Sequence, residues 1–327
     1  MGKFYKRLLF LILFTGAISG AVIYFTLDIN ALPYLTAFRP WSLVVVALLW
    51  VVGMYFDGTR LLHLVRIAGH RITLLQAVQV IFSNYFLALL TPGATGGAVA
   101  QVMFLKRSGV PIGTAGVVVF IRTLMSILFL LLCLPFIFSF DPDLLPWISP
   151  QVLVAVSVLM LGSSALLIWF LRSGTSTLLL VKWTKRIKPV RRRKIFALYR
   201  DIRGAVFMML ASPVSMFRVF AESAASLVSL YSVVPIMFMG LGIDFAWNIV
   251  MGRMIFINIL LYFAPTPGGS GIAEGGFVLL FGPLVPQGIV GILAVAWRIV
   301  QEYVPFIIGF YFAIKVFGRD YLMNEVK

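Results

Sequence analysis

"LTPGATGGAVAQ", Leu90 to Gln101, breaks an apolar run with one proline, three glycines and two threonines. "PTPGGSGIAEGG", Pro265 to Gly276, repeats the interruption near the other end of the chain. Whether these stretches join helices or break them decides the fold. Each is followed by a short apolar piece, at 97–105 and 272–281. Such a piece is about ten residues, or about 15 Å of helix, which reaches about halfway through a bilayer. Two readings stand: TPG is a general helix breaker met twice, or the chain holds two related re-entrant elements.

The surroundings bound the answer. The chain of 327 residues is 61% hydrophobic and 12% charged, with a mean hydropathy of +1.03. A soluble domain could not hide that much apolar surface. Long apolar runs fall at 8–27, 41–56, 73–90, 112–138, 151–171, 213–240, 246–264 and 288–317. The expected fold is therefore all-α: a polytopic helical membrane protein with about six full spans, two re-entrant hairpins and eight long apolar helices. The first run, behind Lys3, Lys6 and Arg7, is expected to be an uncleaved span. Ala17–Ser19 only loosely resembles a signal-peptide cleavage site, and the run is long for such a peptide.

Positive charges orient the spans, because cytoplasmic loops carry excess Lys and Arg. With the N-terminus inside and both breaks re-entrant, 22 of the 27 basic residues fall on the cytoplasmic side. These include Arg60, Arg66, Arg71, Lys106, Arg107 and the eleven between 172 and 203. Arg39 alone falls outside, and Arg122, Arg218, Arg253 and Arg298 lie within apolar runs. Both termini are then cytoplasmic. The first break is entered from the cytoplasm and the second from outside. Runs 73–90 and 246–264 are long enough to cross fully, which would change the topology of the middle.

Aligning Thr91-Pro92-Gly93 with Thr266-Pro267-Gly268 brings Gly96 onto Gly271 and puts Arg122 within one position of Arg298. The chain reads as one transmembrane domain with halves 1–171 and 204–327 of opposite orientation, joined by the basic segment 172–203. Inverted halves with broken helices near the midplane are a recurrent transporter plan. At the breaks Pro92 and Pro267 cannot donate hydrogen bonds. Gly93, Gly96, Gly97, Gly268, Gly269 and Gly271 permit close backbone approach or positive φ. Thr91, Thr95, Thr266 and Ser270 offer hydroxyls to the freed groups. Short helices are expected to begin near Gly97 and Gly271, with N-termini that attract an anion.

Arg122 and Arg298 would lie near mid-depth, where ionisable groups are costly and usually functional. Arg298 has Glu302 at i+4, and Glu274 lies in the second break. Arg122 has Ser126 at i+4 and no acid nearby in sequence, so it is expected to meet an external anion. Guanidinium binds phosphate bidentately. Arg218 and Glu222 form an i, i+4 pair, Arg253 has no evident partner, and Asn84 and Asn258 are read as helix–helix hydrogen bonders.

The formal net charge of +16 would point to nucleic acid in a soluble protein. Here the densest run, "KWTKRIKPVRRRK" at 182–194, is expected to touch an anionic membrane surface instead. The single Cys133 excludes an intrachain disulfide and is read as a packing residue. His63 and His70 are read as surface residues. There is no P-loop, GxGxxG or nucleophile elbow, so neither an enzyme, a metal site nor a cofactor is expected.

"NYFLALLTPGATGGAVAQVMFLKRSGVP" and "PTPGGSGIAEGGF" resemble the transmembrane region of lysylphosphatidylglycerol synthases and the stand-alone flippase-like membrane proteins of that superfamily. The resemblance covers nearly the whole chain. It implies a multi-pass protein of a prokaryotic plasma membrane that moves an anionic or aminoacylated phospholipid, or a polyprenyl-phosphate lipid, between leaflets. The breaks at 91–97 and 266–276, with Arg122, Arg298 and Glu302, would line the lipid path, and Glu274 or Glu302 would couple protons or meet a cationic headgroup. The sequence runs out at Lys327, so a soluble synthase domain and its activity are not expected. Two other classes stay open: a membrane-embedded enzyme or partner of a glycosyltransferase or synthase, and an ion-coupled carrier of a small anion. A homo-oligomer also stays open.

Overall fold

Prolines and threonines set the helix boundaries. The computed structural model describes residues 38–146, 148–185, 188–286 and 288–325. The expected span at 8–27 lies outside them. The described helices run α1 Pro40–Ile67, α2 Leu74–Leu90, α3 Thr95–Arg107, α4 Ile112–Phe140, α5 Pro150–Arg172, α6 Gly174–Thr184 and α7 Pro189–Ala211. They continue as α8 Pro213–Tyr231, α9 Val233–Gly240, α10 Trp247–Tyr262, α11 Ile272–Phe281, α12 Ile289–Arg298 and α13 Val304–Glu325. No strand occurs among the described residues. Pro40, Pro150, Pro189 and Pro213 each sit in a first helical turn, where the missing N–H leaves nothing unsatisfied.

Among the described residues four stretches are long and apolar enough to cross a membrane: Pro40–Ile67, Ile112–Phe140, Pro213–Gly240 and Ile289–Lys315. Two differ from the expected runs. The 41–56 run continues to Ile67, so Arg60 belongs to α1, where it is buried, rather than to a cytoplasmic loop. The aspartate at 57 does not end this helix, because Arg60 at i+3 pairs with it. The expected 213–240 span is divided at Ser232 into α8 and α9. The basic segment 172–203 is largely helical, in α6 and α7.

α2 and α3 form one hairpin, and α10 and α11 form another. Thr73 starts α2: its hydroxyl accepts from the Gln76 N–H, and the Gln76 side chain accepts from the Thr73 N–H. Pro92 ends it. The residue before a proline is pushed out of the helical region, and Thr91 is extended at φ −121° and ψ 141°. α2 has 17 residues and α10 has 16, about 24–26 Å each, short of a ~30 Å hydrocarbon core.

The hairpins start from opposite ends of α1. That helix has 28 residues, about 42 Å. Residues 68–73 lead from its C-terminal end into α2. Its N-terminal end meets the end of α9, where the Arg39 N–H donates to the Gly240 carbonyl (3.0 Å), and residues 241–246 lead from there into α10. The two tips meet: Pro92 and Pro267 form an antiparallel bridge.

Small residues let the helices close on one another. Gly53 of α1 faces Leu230 of α8, and the Ser226 hydroxyl donates to the Gly53 carbonyl at 2.9 Å. Gly309 of α13 lies against the Phe82 carbonyl of α2, with no room for a Cβ. The shared core holds Leu61, Leu64, Phe238, Phe277 and Trp297, with the Phe277 and Trp297 rings stacked at 5.2 Å. Cys133 is half-buried against this core. Leu43, Val44, Leu48 and Val51 of α1 face outward, as expected of a helix bordering lipid.

Gly309→Ala must push α13 from α2 and is expected to lower the thermal unfolding midpoint in detergent by several degrees, with overpacking costing ~1–3 kcal/mol. Gly116→Ala meets open space and is expected to leave the midpoint in place. Equal midpoints for the two variants would contradict the packing described.

A candidate ligand cavity between the broken helices

Beneath the joined tips lies a cavity of about 490 Å³. The first break is closed locally. Thr91 Oγ donates to the Leu87 carbonyl (2.7 Å) and accepts from the Gly96 N–H (2.8 Å). One hydroxyl thus caps the end of α2 and the start of α3. Gly93 and Ala94 turn the chain at φ 61° and 51°. α3 begins at Thr95, two residues before the expected start, because these two left-handed residues complete the turn. Gly96 and Gly97 are within the helix and serve close approach: a Cβ on Gly96 would stand 2.6 Å from the Thr91 methyl, and one on Gly97 would overlap the Asn84 amide oxygen.

The second break is closed differently. Gly268, Gly269 and Gly271 all have positive φ, and Glu274 accepts from the Gly271 N–H at 2.8 Å. The expected pair of anion-attracting helix starts is not what forms. In α3 the first-turn N–H groups of Thr95, Gly96 and Gly97 bond to Pro92, Thr91 and Ala94. In α11 the carboxylate of Glu274 occupies the place an anion would take.

Of the residues singled out at the breaks, Gly93, Thr95, Gly268 and Gly269 line the cavity, together with Arg122 and Glu302. Thr91, Pro92, Gly96, Gly97, Thr266, Pro267, Ser270 and Gly271 form the tips around it. Thr266 Oγ is buried without a hydrogen bond. Arg298 and Glu274 stand behind the wall, 1% and 2% exposed.

Arg122 is not the unpartnered cation expected from its sequence neighbours. Its Nη2 donates to both carboxylate oxygens of Asp57 (2.7 and 2.5 Å) and its Nη1 to Gln101 (2.8 Å). The acid comes from α1, 65 residues away. Arg60 Nε donates to the same carboxylate (2.5 Å), and its Nη1 to the Ser126 hydroxyl (2.8 Å). The Gln101 amide donates in turn to Asn84 (2.8 Å), so Asn84 does bond between helices. Asn258 instead bonds within α10, to the Met254 carbonyl. Gln101 ends the first quoted stretch but was not singled out, and Asp57 and Arg60 carried no motif. Their signal was an acid and a base three apart at the end of an apolar run, one turn from where the helix was expected to stop.

Behind the wall, Arg298 Nε donates to Glu274 (3.2 Å), and Nη1 stands 3.8 Å from Glu302. Both terminal nitrogens are buried without a hydrogen bond. Between α12 and α13, residues Ile299–Tyr303 form a π-helical turn. The Gln301 amide there bonds to the Leu230 carbonyl. The wider turn carries Glu302 into the cavity wall.

Other charges are anchored elsewhere. Arg253, without an evident partner in sequence, donates to both oxygens of Asp141 (2.7 and 3.0 Å) and to the Leu280 carbonyl. His63 is not a surface residue: it is half-buried, its Nδ1 2.8 Å from Glu222, which also meets Arg218 at 3.4 Å. Among the described residues no cluster has the ligands for a metal ion.

A second hollow, an apolar groove of about 940 Å³, runs along the outside of α3 and α4. Val99, Val102, Met103, Ile112, Gly116 and Phe120 form its walls, and Lys106 and Arg107 also border it. Ala98 and Thr123 belong to both the groove and the central cavity.

Apolar helices enclosing two hairpins that meet over a polar cavity define a multi-pass integral membrane protein. Over residues 12–309 the chain matches the lysylphosphatidylglycerol synthase TM region, and it belongs to that family. It is also similar to a UPF0104 membrane protein of Archaeoglobus fulgidus, 23% identical over 279 residues, 82% of this chain and 85% of the relative.

Removing one member of a buried ion pair strands the other, at about 3–5 kcal/mol. Asp57→Ala is therefore expected to lower the thermal midpoint in detergent sharply, whereas Arg218→Ala, at an exposed guanidinium, is expected to change it little. A midpoint unmoved by Asp57→Ala would mean that the two arginines do not depend on this carboxylate.

Proposed function

We propose that the protein is a flippase-like transporter that carries a phosphate-bearing lipid between leaflets. The lipid headgroup occupies the central cavity while its chains stay in the groove along α3 and α4. The observation that carries this reading is the shared border of the two spaces at Ala98 and Thr123. A polar pocket bordered by an apolar, outward-facing groove suits a molecule with one polar and one apolar end. It suits a small soluble anion less, since such an anion needs no apolar groove. The cavity volume lies within the ~300–1,000 Å³ usual for ligand pockets.

The wall of α1 and α4 offers a phosphate one net positive charge, two guanidiniums against the single Asp57 carboxylate, with the Asn84 and Gln101 amides beside it. The candidate headgroups are phosphatidylglycerol-like, aminoacylated or polyprenyl-phosphate. In this reading the chain is two halves of opposite orientation, each supplying one re-entrant hairpin, and rocking about the tip contact alternates access. Membership of the family supports a flippase-like role at a coarse level. No chemical step is assigned to the cavity.

The test is translocation of headgroup-labelled phosphatidylglycerol and phosphatidylcholine in sealed proteoliposomes. Gly116 lines the groove and has open space at its Cβ, while Gly113, one turn away, has the same space but lies outside the groove. Gly116→Trp is expected to slow headgroup-selective movement at least about tenfold, equivalent to about 1.4 kcal/mol of barrier, and Gly113→Trp to leave it near wild type. Folded wild-type protein that moves neither lipid, or a Gly116→Trp variant as fast as wild type, would remove this reading.

A further inference from the structure

The charges around the cavity sum to zero as they stand. Asp57 and Glu302 are its acidic lining residues, and Arg60 and Arg122 its basic ones. Behind the wall, Glu274 balances Arg298. An anion entering this enclosure would bring a charge with no counterpart, at high cost where water is scarce. The two sides are not equally committed. Asp57 accepts three hydrogen bonds from two guanidiniums. Glu302 has no hydrogen bond to Arg298, only a 3.8 Å approach, and its side chain is 28% exposed against 3% for Asp57.

We infer that an anionic headgroup enters together with one proton, taken up by Glu302. This rests on the lipid reading above. Protonation leaves the lining with one net positive charge, which the headgroup phosphate then balances. It also relaxes the hold of Glu302 on Arg298, whose two terminal nitrogens have no hydrogen bond. Glu274 holds Arg298 in place through Nε. The π turn fits this role, since such turns gather at functional sites; it sets the acceptor at the cavity wall and its cation behind it.

Other groups around Glu302 complete the electrostatic setting. From its own helix come Arg298 and Tyr303, whose ring lies under the guanidinium at 5.6 Å. Glu274 comes from α11. Tyr85 of α2 and Tyr262 of α10 line the same cavity, as does Tyr231 of α8. Asp57, Arg60 and Arg122 face it from α1 and α4. Asp57 accepts from Arg60 and Arg122, and Glu274 accepts from the Gly271 N–H and from Arg298. Glu302 is the carboxylate left to change charge when an anion arrives.

The test uses purified full-length protein and short-chain dihexanoyl-phosphatidylglycerol, with dihexanoyl-phosphatidylcholine as the zwitterionic control. Titration calorimetry in two buffers of different ionisation enthalpy, at one pH, reports protons taken up on binding. Wild type is expected to take up close to one proton per phosphatidylglycerol, with Kd rising with pH by up to about tenfold per unit. Phosphatidylcholine binding is expected to take up none. Glu302→Gln is expected to bind phosphatidylglycerol with no proton uptake and a flat pH profile, and Glu302→Asp to restore the uptake. Wild-type binding of phosphatidylglycerol without proton uptake overturns the inference and leaves the lipid reading standing. Uptake that persists in Glu302→Gln overturns it too, by placing the proton elsewhere. Binding of neither probe at any pH removes the lipid reading, and this inference with it.

Discussion

A helix that stops in apolar surroundings leaves N–H and C=O groups that only the protein can satisfy. The rest of the structure follows from how this chain meets that demand twice. At the first break Thr91 serves both helix ends with one hydroxyl. At the second, Glu274 reaches back to Gly271. The two tips then meet at Pro92 and Pro267. That contact requires Gly268 to sit directly on Leu89, where no side chain fits. Tips joined in this way roof a polar space in an apolar bundle.

Electrostatics completes the space. Each buried arginine described is held by a carboxylate from elsewhere in the fold or one turn away. The resulting clusters fix guanidinium geometry and rigidify the wall while limiting the net charge exposed to a ligand. The two walls are related in plan and unequal in detail. One presents a carboxylate saturated by two arginines, and the other an arginine shared loosely between two carboxylates. Equivalent half-sites would give a ligand no reason to prefer one orientation; unequal ones do.

Much of the architecture was legible because its signals are local. Apolar run length marked the helices, proline and glycine marked the breaks, and the repetition of TPG paired them. The charged network was less legible because ion pairs ignore sequence distance. Arg122 has only Ser126 nearby in sequence, yet its acid is Asp57. Arg253 likewise depends on Asp141, 112 residues away. Arg60 was assigned to a loop because a charge usually ends an apolar run; its i+3 partner neutralises it and lets the helix continue. Glycine was ambiguous for another reason. The same residue type serves positive φ at Gly93 and helix crowding at Gly97, and only the neighbouring helix distinguishes the two.

The order of these pairs along the chain has a consequence for how the protein is made. Asp57 precedes Arg60 and Arg122, Asp141 precedes Arg253, and Glu274 precedes Arg298. Synthesis runs from the N-terminus, so every one of these carboxylates is made before the arginine it receives. Asp57 and Arg60 can enter the bilayer already paired, within one helix. An arginine at a helix centre opposes insertion by about 2.5–3.5 kcal/mol on the translocon scale. Here each of these arginines follows in the chain a carboxylate that it meets in the fold, so the order of synthesis favours insertion of the guanidinium against a counter-ion already made.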